Sequence, residues 1–105
     1  MPKPFVKIKL DRERHLRFTL KALLEVEEHF GVPYHSLNPQ EWKLQDVLFL
    51  LWVGLKHEDE SLTFDDVVRI ADEAESLSYV FEKVAQAFQA AFVGNAEGNR
   101  ARASS

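Results

Sequence analysis

The chain opens on strict alternation. Val6, Ile8 and Leu10 fall on one face and Lys7 and Lys9 on the other, the period-two pattern of a half-buried strand. After the polar segment Asp11-Arg12-Glu13-Arg14, the stretch His15-Leu16-Arg17-Phe18 alternates again, with Leu16 and Phe18 inward. The two runs predict a β-hairpin over residues 5–18. Its turn lacks the Asn-Gly or Asp-Gly pair that would fix its type.

Beyond residue 18 the period becomes helical. Thr19 is placed to cap a helix over about 20–30, and Gly31 to supply the left-handed residue that stops it. Leu20, Leu23, Leu24 and Phe30 form its predicted inward stripe, with Glu27 in the middle. Burying an unpaired carboxylate is costly, so Glu27 is read as a structural anchor that reaches Arg17 or an exposed backbone amide. Asn38-Pro39-Gln40-Glu41 carries a cap, a proline at the first helical position and an acid at the capping-box place. It predicts a helix over about 39–57, either continuous or as a short turn through Trp42 followed by a main helix from about Gln45. The run Val47 to Val53 has no polar face and marks the core helix. Thr63 repeats the cap pattern before a helix over about 64–74, with Phe64, Val67, Val68, Ala71 and Ala74 inward. A last helix over about 77–93 places Leu77, Val80, Phe81, Val84, Ala85, Phe88 and Phe92 on one face, Gly94 ends it, and 94–105 reads as a flexible tail. The fold class is α+β: one domain over 1–93, an N-terminal hairpin packed on about four helices.

Composition narrows the function classes. At 105 residues the chain holds one core, and its 46% hydrophobic content is that of a folded protein. The absence of cysteine excludes disulfides, thiolate catalysis and thiolate metal ligation. The start lacks an apolar signal core, and the longest apolar run is far short of the roughly 20 residues that span a bilayer, so a cytoplasmic protein without membrane contact is expected. Charge is uneven: residues 1–21 hold seven Lys and Arg against two acids, whereas 22–93 hold four against fourteen. An acidic body argues against nucleic-acid binding, and the polarity suits head-to-tail association of copies as well as plain solvation.

The four histidines, His15, His29, His35 and His57, are scattered with no ligand spacing, and Glu58-Asp59-Glu60 resembles a calcium loop only by charge. No Gly-rich phosphate cradle or nucleophile elbow occurs. Neither a metal, a cofactor nor an enzymatic activity is expected. The apolar surplus around Val47–Val53 instead points to contact with another chain.

Two stretches carry a resemblance. Leu16-Arg17-Phe18-Thr19-Leu20-Lys21-Ala22-Leu23-Leu24-Glu25-Val26-Glu27-Glu28-His29-Phe30-Gly31 resembles the strand-then-helix segment of the tail assembly chaperones of long-tailed phages and gene transfer agents. Leu50-Leu51-Trp52-Val53-Gly54-Leu55-Lys56-His57-Glu58-Asp59-Glu60-Ser61-Leu62-Thr63, continued by Phe64-Asp65-Asp66-Val67-Val68, looks like that family's helix end, polar loop and capping threonine. Together they cover about a third of the chain. The resemblance implies a small cytoplasmic protein, absent from the mature particle, that binds the tape-measure protein and the tail-tube subunit during tail assembly without catalysis. Many family members also have a longer frameshifted form. On this reading Phe49, Trp52 and Val53, helped by Phe88 and Phe92, form a self-association face or a groove for tape-measure helices, and Lys7, Lys9 and Arg17 supply the positive side of an oligomer contact. The alternatives are a structural tail-completion protein or another small phage interaction protein retained in the particle, and, behind these, a nucleic-acid-binding regulator using the basic hairpin.

Overall fold

The computed structural model describes residues 5–104, with side chains described as far as residue 91. It is an α+β fold in which a two-stranded antiparallel hairpin precedes four α-helices. Strands β1 (Val6–Lys9) and β2 (Glu13–Leu16) pair Val6 with Leu16 and Ile8 with Arg14. The inward row of Ile8, Leu10, Leu16 and Phe18 is buried as the alternation predicts. Arg14 shares that row and is only 5% exposed, so its charge needs a partner. Asp11 supplies it from the turn, accepting from Arg14 Nε at 2.8 Å and Nη2 at 2.9 Å. This fork bridges the turn and holds it closed without the usual glycine.

Both hairpin edges are occupied. On the β2 side the Arg17 amide donates to the Gly54 carbonyl at 3.0 Å and the His15 amide to Glu58 Oε1 at 3.3 Å. On the β1 side the Lys9 amide donates to Tyr79 Oη at 2.9 Å. The outer amides of Lys9, His15 and Arg17, which would otherwise be open to strand addition, are thereby satisfied.

Helix α1 (Leu20–Phe30) starts at Thr19, whose hydroxyl accepts from the Ala22 amide at 3.0 Å, and ends at Gly31 with φ 72°. Its buried side chains are Ala22, Leu23 and Val26, while Leu20 is 75% and Leu24 66% exposed. The inward stripe is therefore turned from the expected one. Two apolar sets at helical spacing share Leu23, and the set that meets α2 is the one with Ala22 and Val26. Glu27 lies at the margin of the buried face, where Oε2 accepts from the Tyr34 amide at 3.1 Å. Its anchor partner is a backbone amide, not Arg17.

A 3-10 turn over Pro39–Glu41, with Asn38 Oδ1 accepting from the Gln40 amide, is separate from helix α2 (Leu44–Leu55). A continuous helix over 39–57 is thus ruled out in favour of the interrupted form. Trp42 and Lys43 are extended at the break, and Asp46 Oδ2 caps the new helix by accepting from the Lys43 amide at 2.9 Å. Helix α2 buries Val47, Leu50, Leu51, Val53, Gly54 and Leu55, meeting the hairpin, α1, α3 and α4 in turn.

Helix α3 (Phe64–Ala71) begins in a reciprocal capping box between Thr63 and Asp66 and stops short of the expected Ala74. Of its predicted inward stripe only Val67 is fully buried. Helix α4 (Leu77–Ser104) starts where Ser76 Oγ accepts from the Tyr79 amide at 3.0 Å. It buries Val80, Val84, Ala87, Phe88 and Ala91, leaving Leu77 exposed. The helix continues through Gly94, correcting the expected end: an interior glycine costs about 1 kcal/mol and does not by itself stop a helix. The expectation of a flexible tail over 94–105 concerns side chains outside the described ones. Among the described residues, no helix is long and apolar enough to cross a membrane.

Candidate partner-binding surfaces

The residues named from sequence fall in separate places. Phe49 stacks on His29 with ring centroids 3.9 Å apart, and meets the edge of Trp52 at 6.0 Å; Trp52 in turn meets Phe64 at 5.9 Å. The polar ends of this cluster are tied down. Trp52 Nε1 donates to the Leu62 carbonyl at 2.9 Å, Lys56 Nζ lies 4.6 Å over the Trp52 ring and 2.8 Å from Glu25 Oε1, and His29 Nε2 lies 3.2 Å from Asp46 Oδ1. Such a half-buried cluster, with its polar ends tied down, rivets α1, α2 and α3 together.

Val53 and Phe88 belong to the core, so neither lies on a surface. Phe88 packs edge-on against Phe18 at 5.6 Å and Trp42 at 5.9 Å, apart from the Phe49 cluster. The Phe92 side chain lies outside the described ones. Lys7 and Lys9 are exposed on the outer face of β1 and Arg17 is half-buried. Thr19, Gly31 and Thr63 act as helix caps.

The open apolar surface lies elsewhere, along the outer side of α4. Its first section, of about 320 Å³, is lined by Leu44, Leu48, Val68, Ala71 and Leu77 among others. A second of about 310 Å³ shares Leu44 and Leu77 and adds Trp42, Val47 and Phe81. A third of about 740 Å³ shares Ser78 and Phe81 and runs past Pro39 and Ala85 to Gln89 and Ala90. The shared residues make one groove bounded by the start of α2, by α3 and by α4. Leu44 is 54% and Leu77 57% exposed, although a core position would be the rule for either.

Among the described residues two carboxylates, Asp72 and Glu82, line the groove, and no cation does. Glu41, Asp46, Glu73 and Glu75 adjoin its lining in sequence, against Lys43, Lys83 and Arg69; Asp46 faces His29, Lys83 lies over the Tyr79 ring, and Arg69 is paired with Asp66. Trp42 stands in the wall with its buried Nε1 unpaired. Sequence reasoning missed this site because it turned Val68 and Leu77 inward. The signal was the crowd of small residues, Ala71, Ala74, Ala85 and Ala90, too short to cover the leucines beside them.

Among the described residues no group of three His, Asp or Glu is arranged to hold a metal ion. Set against known proteins, the chain matches no protein-family model, no curated protein and no solved structure.

Proposed function

We propose that the protein is a tail assembly chaperone of the kind found with long-tailed phages and gene transfer agents. It works by binding, holding the tape-measure chain and tail-tube subunits in the host cytoplasm until the tube encloses the tape measure, and it does not enter the particle. The observation that carries this reading is the long apolar groove along α4, beside the buried core of a small domain. Surplus apolar surface of that shape is what a protein needs to cover the apolar stripe of a long helical chain. The resemblance of residues 16–31 and 50–68 to the family supports it independently.

Co-expression with the neighbouring tape-measure and tail-tube proteins, followed by affinity capture and light scattering, tests the proposal. A soluble complex with a tape-measure protein that aggregates alone is the expected result. Capture of neither partner overturns it, and recovery of the protein from purified particles would make it a tail component instead.

A further inference from the structure

We infer that the α4 groove receives one amphipathic α-helix whose apolar stripe is flanked by lysine or arginine. This names the partner chemistry for the binding activity proposed above and rests on that reading.

Length comes first. The groove follows α4 from Leu77 to Ala90, about 20 Å at 1.5 Å per residue, which matches nearly four turns of a partner helix. Ser78, Ala85 and Ala90 keep the α4 side shallow enough for another backbone to approach. The groove's walls are mainly helices, whose backbone donors are bonded within them, so an extended peptide would leave its own amides unpaired, whereas a helix satisfies them internally.

Charge selects the flanks. Asp72 and Glu82 lie in the lining, and of the charges next to it in sequence Glu41, Glu73 and Glu75 outnumber Lys43 and Lys83, so a helix edged with acids would meet net like charge around the Leu77–Glu82 part of the groove. A helix edged with bases gains there.

Residues 94–105 supply no such helix: they hold no apolar side chain larger than alanine, and α4 runs on to Ser104 without turning back. A second copy offers the exposed pair Leu20 and Leu24 beside Lys21, a single turn of about 6 Å against a groove of about 20 Å. Most of the groove would stay open.

The test uses the full chain carrying Trp52→Phe, which leaves Trp42 in the groove wall as the only tryptophan and hence as the fluorescent reporter. It is titrated with a synthetic 18-residue helical peptide bearing one leucine stripe flanked by lysines, and with the same peptide flanked by glutamates. The lysine peptide is expected to bind at least about 10-fold more tightly at low salt, the gap closing as salt rises. Leu77→Lys and Val68→Lys, both at exposed positions, are expected to weaken it at least about 10-fold with circular dichroism unchanged. Equal affinity for the two peptides, no change of Trp42 emission with either, or binding untouched by Leu77→Lys overturns the inference. So does a dimer in the free protein that Leu77→Lys dissociates, because the groove would then belong to a second copy. Capture of the tape-measure protein undiminished by Leu77→Lys overturns the groove assignment and leaves the chaperone reading standing. Peptide binding without capture of any tail protein does the reverse.

Discussion

Gly54 marks the tightest approach between α2 and the hairpin. A Cβ placed there would come 2.9 Å from Leu16 Cδ2 and 3.5 Å from Phe18 Cζ, both on buried side chains. Gly54→Ala recovers up to about 1 kcal/mol of helix propensity, which offsets most of the shift forced on the Leu16 methyl. Gly54→Val adds two methyls to the same space and should cost about 1–3 kcal/mol beyond the alanine variant, read from urea unfolding midpoints. A valine variant as stable as the alanine one would show that the contact relaxes freely. Nothing in the alternation of residues 5–18 announced this neighbour, because close approach between distant segments leaves no local pattern. Arg14 was hidden differently: grouped with a polar turn, it sits by parity in the inward row, and only its pairing with Asp11 makes that tolerable.

At the level of elements, caps were the most legible feature. Thr19, Gly31, Asn38 and Thr63 each sit at a boundary that their short-range chemistry dictates. Facing was less legible, since a helix such as α1 carries two overlapping apolar stripes and only its neighbour selects one. Single alanine substitutions separate them. Leu23→Ala should cost about 2–5 kcal/mol, as a buried leucine does. Leu24→Ala, at an exposed position, should stay within about 0.5 kcal/mol of the parent. Equal losses in a chemical unfolding series would restore the stripe read from sequence. The same ambiguity explains α3 and α4, where Val68 and Leu77 satisfy the period of a core face yet end at the rim of the groove.

For the molecule as a whole, the class of fold was readable and the binding surface was not. The surface arises where three helix ends fail to close over their apolar residues, a property of packing that no single segment carries. Acid stability is likewise a property of the assembled molecule. The hydrogen bonds from Arg14 hold the Asp11 carboxyl below its ordinary range. Burial raises Glu58, but hydrogen bonds from the His15 ring and amide, with the charges of His15 and His57, outweigh burial and hold it low as well. A carboxylate with a lowered folded-state pKa stabilises above its unfolded value, and that contribution is lost as pH falls through the folded one. The contribution of these two carboxylates should therefore be constant above about pH 5 and decline below about pH 4.5. Asp11→Asn combined with Glu58→Gln should lower the neutral plateau and flatten the acid limb, measured as urea midpoints between about pH 3 and 7. Parallel curves for parent and variant would place the acid sensitivity in other groups.

The bond from the Lys9 amide to Tyr79 Oη joins positions 70 residues apart, and it has a consequence in time. A ribosome adding about 5–20 residues per second releases Tyr79 roughly 4–14 s after Lys9. For most of that interval Ile8, Leu10, Leu16 and Phe18 are already made while the helix that closes over β1 is not. The newborn chain thus carries a sheet face that α2 covers only in part, and α4 is what closes it over β1.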